Sequence, residues 1–386
     1  MWPCAITNSK YGYPSITGEG ALKYSSLATP SILVDVDRVE LNCERMLSRA
    51  RSLGVRLRPH MKTHKCIEIG RLQVGAESGP ITVSTLAEAR HFANHGFSDI
   101  VLAVPIAPCR VAEALDLGVA LLVDSPEAVA AVESEVGAGG VDVWLKVDCG
   151  YGRAGVVPGT PGAVSMARQL HDSARLRFRG VLTHGGHSYD CVGVEQIRAV
   201  AAQERDVVVG FAEALRGLGI DVDEVSVGST PTMMHVDHLE GVTEIRPGNY
   251  ALFDGFQAAI GSCHRDDVAV SVLTSVIGAY ADRLILDVGA LALSKDPGPT
   301  HVDPDCGFGR LLDDSGEAIS DLRLTGLSQE HGKAYGTGAS RFRVGDKLRV
   351  EPNHSCLTMA CFSDVHAIRG DDVVGVFEPV RGWAGG

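Results

Sequence analysis

Hydrophobic and polar positions change rhythm twice along this chain. Residues 1–30 are polar and broken by Pro and Gly, a poor core. The run 31–36 (Ser-Ile-Leu-Val-Asp-Val) is strand-like, and behind it Val39, Cys43, Met46, Ala50 and Leu53 recur at helical spacing, so one helix face is buried. Asp37, with Glu40 three positions on, forms a capping-box-like pair that predicts where this helix starts. Apolar runs and helical stretches then alternate. Strands are predicted at 56–62, 81–84, 99–104, 119–123, 141–147, 177–183, 224–227 and 244–247, with helices such as 86–95, 125–136 and 194–215 between them. Eight such strands close a (β/α)8 barrel. The strand at 31–36 is left over and is expected to pair elsewhere.

After about residue 265 the alternation stops. The runs 268–277, 283–288, 347–350, 365–368 and 373–377 are short, β-rich and separated by Gly, Pro and Asp, which predicts a β domain. The expected division is a barrel over 37–265 and a β-rich domain built from 1–36 together with 266–386. The length of 386 residues agrees with two domains. No internal repeat or low-complexity tract interrupts them.

Composition narrows the partners. With 45% hydrophobic residues and a mean hydropathy of +0.09 the chain buries a full core. A formal charge of −13 argues against nucleic acid or an anionic membrane as partner. No apolar run is long enough to span a bilayer, and residues 1–14 lack the charged-then-apolar order of a signal peptide. Ten cysteines, Cys4 among them, are scattered without a disulfide framework, which predicts reduced thiols and a cytoplasmic protein.

Barrel ligands sit at the C-terminal ends of strands. At the end of the first, Arg58-Pro59-His60-Met61-Lys62-Thr63-His64-Lys65 crowds five basic side chains together. Neighbouring cations favour the neutral amine that imine chemistry needs. On position alone either Lys62 or Lys65 qualifies, and residue types alone suit a solvated basic strand end equally. Asp148–Gly155 is a glycine-built turn that either aims Arg153 at an oxyanion or leaves it in solvent. Residues 183–189 bring His184, His187, Tyr189 and two glycines, suited to backbone close to a flat ring. The small residues of 226–232 expose N–H groups where barrel phosphate sites recur. In the β-rich part, His354 and Cys356 fall on one side of a predicted strand and form half of a zinc site. An H-x-C pair by itself is most often accidental.

Several of these stretches together resemble one family, over nearly the whole chain from Thr29 to Trp383. The 58–65 octapeptide is similar to the pyridoxal-phosphate lysine motif of the D-serine dehydratase and D-threonine aldolase group, whose members share the alanine-racemase-like architecture (fold type III: a cofactor-binding barrel plus a C-terminal β domain). The resemblance implies that Lys62, rather than Lys65, carries pyridoxal 5'-phosphate (PLP) as an imine. Asp148–Gly155 resembles the family's D-x-G-x-x-R-x-G turn, which places Arg153 near the ring side of the cofactor. By the same resemblance His184 and Tyr189 pack by the pyridine, and Gly228, Ser229 and Thr230 cradle the phosphate. Gly248, Asn249 and Tyr250 supply a companion phosphate contact, with the Tyr250 hydroxyl as donor. The stretch 352–358, P-N-H-x-C-x-T, resembles the metal motif of eukaryotic-type D-serine dehydratases and D-threo-3-hydroxyaspartate dehydratase, with Zn2+ on His354 and Cys356. The aldolases instead set an aspartate two residues after their histidine, so Cys356 turns the expectation toward dehydration. Gln329 and His331 match a family stretch near the metal or the substrate.

The expected activity is PLP-dependent, zinc-assisted dehydration of a small β-hydroxy D-amino acid, such as D-serine or D-threo-3-hydroxyaspartate, to a 2-oxo acid and ammonia. The family also implies a homodimer. Retro-aldol cleavage to glycine and an aldehyde is the alternative within the class. A racemase, a non-catalytic PLP-binding protein and a sugar-phosphate barrel are the others.

Overall fold

The computed structural model describes residues 22–383. Cys4, the polar stretch 1–21 with its expected lack of a leader, and residues 384–386 lie outside the described residues. The chain divides into two compact units, one made of the chain up to Cys43 with Asn249–Pro379, the other of Glu44–Gly248 with the segment from Val380.

The second unit is an eight-stranded parallel sheet of Arg56–Leu57, Ile81–Val83, Ile100–Pro105, Ala120–Val123, Val141–Lys146, Leu176–Leu182, Glu224–Val227 and Glu244–Ile245. From the second strand to the eighth, each pairs with its chain neighbour, and the first pairs with the last through Arg56↔Glu244 and Leu57↔Ile245. A parallel bridge, His60↔Thr82, joins the first strand's extension to the second and closes the ring. The strands are buried nearly throughout because helices cover the outer face of a parallel sheet. Trp144 packs on Val101, Leu122 and Leu182 at its centre. The covering helices start at side-chain caps: Thr85 accepts from Glu88 N–H, Ser125 from Ala128 N–H and Thr160 from Ala163 N–H. At the N-terminal ends of the strands, fully buried Glu244 accepts from Arg56 Nε at 3.1 Å, Arg58 Nε at 2.9 Å and Ser226 Oγ at 2.7 Å.

The first unit is one nine-stranded sheet. The leftover strand, Ser31–Asp35, lies between Val270–Ala279 (antiparallel) and Val365–Arg369 (parallel). Three strands there escape the sequence pattern: Arg310–Leu312, Arg323–Leu327 and Gly332–Tyr335. Arg310–Leu312 is only three residues long, and in the other two, exposed residues interrupt the buried ones, so no apolar run marks them. The helix Val36–Ser52 starts one residue earlier than its predicted cap. Asp35 accepts from Arg38 N–H at 3.2 Å, while Asp37 and Glu40 pair with Arg369. No helix among the described residues is long and apolar enough to cross a membrane.

Candidate active site

In the barrel unit, Lys62 sits in a 3-10 turn, Met61–Thr63, beyond the first strand. Met61 and Thr63 are buried and pin the turn, and His60 Nδ1 accepts from Lys62 N–H at 3.3 Å. Lys65, three residues on, has φ +58° and pairs with fully buried Glu88 at 3.0 Å. Lys62 makes no ion pair among the described residues. Of the two lysines, Lys62 has the amine not held by a carboxylate.

The surroundings of Lys62 are cationic. Burial, then the charge of Lys62, holds the His60 and His184 rings well below the usual histidine range. Arg153 adds to both, Arg246 to His60 and Lys146 to His184. Burial also brings Lys146 down to about 7 and Arg246 down to about 10. Glu204 is the carboxylate that offsets this field at both Lys146 and Arg246. Such a place suits a ligand with several negative charges, and a phosphorylated, phenolate-bearing pyridine fits it. The Arg153 guanidinium lies 5.0 Å over the Tyr151 ring, which stacks on His187 and meets His184 edge-on.

The glycines of 183–189 serve the protein's own groups. A Cβ on Gly186 would stand 2.2 Å from the Tyr151 ring, and one on Gly185 would stand 3.1 Å from the Glu204 carboxyl carbon. Tyr189 lies half-buried in the turn Gly186–Asp190. Gly228 has φ +123°, its N–H donates to Glu204, and its carbonyl faces His184 Nδ1 at 3.1 Å. Ser229 caps the short helix Thr230–His235 in a capping box with Thr232, and its hydroxyl also meets Ser188 Oγ at 2.9 Å. Thr230 is buried at that helix start. Gly248 is fixed by crowding, since a Cβ would come within 2.5 Å of the His60 carbonyl oxygen.

In the other unit, the metal-type pair stands where a strand gives way to a helix. Lys347–Glu351 ends, His354 takes the N-cap position, and Cys356 lies inside Ser355–Met359. The strand alternation expected to bring the two side chains together is therefore absent. The tight turn brings them within hydrogen-bonding reach instead. His354 Nδ1 meets Asp296 Oδ2 at 2.9 Å, which leaves Nε2 for a ligand. Burial opposes a charge on His354, but Asp296 and Cys356 outweigh it and lift the ring to about 11. A site that favours positive charge, with imidazole and sulfur donors, fits a zinc-type ion. Among the described residues no group of three or more His, Cys, Asp and Glu side chains gathers as ligands, so this pair supplies only part of a shell.

Buried Asp254 braces the turn by accepting from Ser355 N–H and Oγ at 2.9 Å each. The Asn249 amide, expected at the phosphate, donates to Asp254 at 2.9 Å and Ser355 at 2.8 Å and lies 3.9 Å from Cys356 Sγ. Tyr250 is buried beside it. Gln329 and His331 are exposed in the turn between Arg323–Leu327 and Gly332–Tyr335. The Gln329 carbonyl accepts from Leu291 N–H, and the Leu293 carbonyl accepts from Thr358 Oγ1, so one short helix separates this turn from the pair.

Sequence reasoning passed over Lys146, Glu204 and Asp296. The first two carry a signal, a charge inside a largely apolar strand or on an apolar helix face. Asp296 has none, because its partner is 58 residues away.

Two family models cover most of the chain: the N-terminal domain of alanine racemase over 34–254 and a putative serine dehydratase domain over 269–368. D-threo-3-hydroxyaspartate dehydratase of Delftia sp. (strain HT23) is 42% identical over 376 residues, 93% of this chain and 98% of that protein. The chain belongs to the dehydratase group of alanine-racemase-like enzymes. D-serine dehydratase of Dictyostelium discoideum, in the same group, is 38% identical over 93% of this chain and 98% of its own. A solved structure of the Delftia dehydratase superposes with a TM-score of 0.88 at 39% identity, covering 94% of this chain and all of that one. Two more carry alanine at a histidine and at a cysteine two positions further on, the cysteine mutant in a metal-free form. A D-threonine aldolase of Arthrobacter sp. is also related, at 29% identity over 91% of each chain. The group is one of lyases and implies PLP.

Proposed function

We propose that this chain is a PLP- and metal-dependent dehydratase of a β-hydroxy D-amino acid, with D-serine and D-threo-3-hydroxyaspartate as the leading substrates. The observation that carries this reading is the His354–Cys356 pair backed by Asp296, a donor set that proton abstraction and racemisation do not require. When bound, PLP supplies an electron sink for a Cα carbanion, and the metal ion supplies a Lewis acid for a departing oxygen. Lys62 Nζ anchors the cofactor and is the base that takes the Cα proton. Arg153, Lys146 and Arg246 hold the cationic field that receives the cofactor's anionic groups. His354 presents Nε2 and Cys356 its sulfur to the ion, which is zinc in this reading. Tyr189, Gly228, Ser229, Thr230, Gly248, Asn249 and Tyr250 remain the proposed cofactor contacts, and Gln329 and His331 the proposed outer groups near the metal.

Incubation with D-serine, and separately with D-threo-3-hydroxyaspartate, tests the reaction class. A 2-oxo acid and ammonia in equal amounts, lost on chelation and restored by zinc, is expected. Glycine with an aldehyde or glyoxylate would assign the chain to the aldolases instead. No disulfide joins the nine described cysteines, which supports a reducing compartment such as the cytoplasm. A homodimer belongs to the same reading, and light scattering on the purified protein checks it.

A further inference from the structure

We propose that Glu204 is the positioning residue of the cofactor-phosphate loops, an inference that rests on the PLP reading above. The helix Val194–Gly217 buries a stripe of Ile197, Ala201, Val208, Phe211 and Leu215 against the barrel, and Glu204 lies within that stripe with no exposure. A carboxylate there is costly unless its oxygens are satisfied. Among the described residues no lysine or arginine forms an ion pair with it. Oε1 accepts from Gly185 N–H at 2.6 Å and Gly228 N–H at 3.0 Å, and Oε2 accepts from Thr232 Oγ1 at 2.9 Å.

These three donors come from two loops. Gly185 follows the sixth barrel strand beside His184, while Gly228 and Thr232 follow the seventh. Thr232 Oγ1 in turn accepts from Ser229 N–H at 3.0 Å, so the carboxylate's hold extends to the residue proposed at the phosphate. The Gly228 and Ser229 N–H groups are therefore engaged inside the protein. They fix the shape of the turn, and it is that shape a phosphate meets. One buried side chain sets the spacing of both loops, and its charge reaches Lys146 and Arg246 in the same field.

Titration of cofactor-free protein with PLP, followed by visible absorbance, tests this. Glu204→Ala is expected to raise the Kd for PLP about tenfold or more, as loss of an orienting carboxylate does elsewhere. Glu204→Gln keeps an oxygen for the two N–H donors and is expected within about threefold of wild type. Val208→Ala, on the same buried stripe, is expected to lower Tm yet leave the Kd within about twofold. An unchanged Kd in Glu204→Ala, or an equal loss in Val208→Ala, would overturn the proposal. If Glu204→Ala does not fold, Thr232→Val removes the Oε2 contact and leaves Gly228 N–H on Oε1, and its Kd is expected to rise about threefold or more; a wild-type Kd there also overturns the proposal. Failure of the wild-type protein itself to bind PLP would refute the functional reading rather than the role of Glu204.

Discussion

Lys146 ends the fifth barrel strand, 5% exposed, and burial with the nearby Arg246 charge brings its amine from 10.5 to about 7. Replacing it with methionine, which fills similar space without a charge, isolates that cost. Between about pH 7 and 10.5 the unfolded chain binds a proton at this lysine that the folded chain does not, so wild-type stability rises with pH through that window. Below it both states are protonated and the fold carries the full penalty. At about 1.4 kcal/mol per pH unit the penalty is on the order of 5 kcal/mol, and it shrinks by about 2.5 kcal/mol between pH 7 and 9. Lys146→Met is therefore expected to be more stable than wild type at pH 7, with an advantage that narrows by about 2.5 kcal/mol at pH 9. Urea unfolding of cofactor-free protein, followed by the fluorescence of buried Trp144, measures both gaps. A gap that is independent of pH, or one that widens as pH rises, would refute the reasoning.

Glu244→Gln removes the buried carboxylate that Arg56 and Arg58 share, leaving them Glu224 and Asp99, and is expected to cost about 3 kcal/mol in urea unfolding. Burial pushes the Glu244 carboxyl up, but the two guanidiniums outweigh it and hold the group below the usual range. Its contribution is thus present above the ordinary glutamate range and lost as pH falls through the folded value, so the wild-type advantage over the glutamine variant disappears in acid. Gly186→Ala must displace the Tyr151 ring and is expected to lower stability by about 1–3 kcal/mol. Gly217→Ala, at the end of a helix with open space around it, is expected to be neutral or slightly stabilising, and thermal melts compare the two. Asp296→Asn removes the carboxylate behind His354 and is expected to weaken zinc retention about 10–100-fold, read by metal content after dialysis against a graded chelator series.

The barrel was legible because its strands are mostly buried and stand out as largely apolar runs, as at Val141–Lys146. The leftover strand at Ser31–Asp35 was visible for the same reason. The other unit hides Arg323–Leu327 and Gly332–Tyr335, whose alternate residues face solvent and whose glycines break the pattern. The Asp37 cap failed because Asp35, two residues earlier, accepts from Arg38 N–H and the helix begins sooner. His354 and Cys356 do approach each other, through a cap and a helical turn rather than a strand, which a period of two cannot distinguish over three residues. The supporting groups were the least legible. Glu204 takes its partners from 19 to 28 residues away and Asp296 from 58, distances at which spacing in the sequence carries no information.

The most direct test of the account is the rate of 2-oxo acid and ammonia release from D-serine or D-threo-3-hydroxyaspartate by wild type, Lys62→Ala and His354→Ala, each loaded with PLP and zinc. Equal amounts of the two products from wild type, and a loss of about a thousandfold or more in each variant, are predicted. Turnover at the wild-type rate by either variant would contradict it.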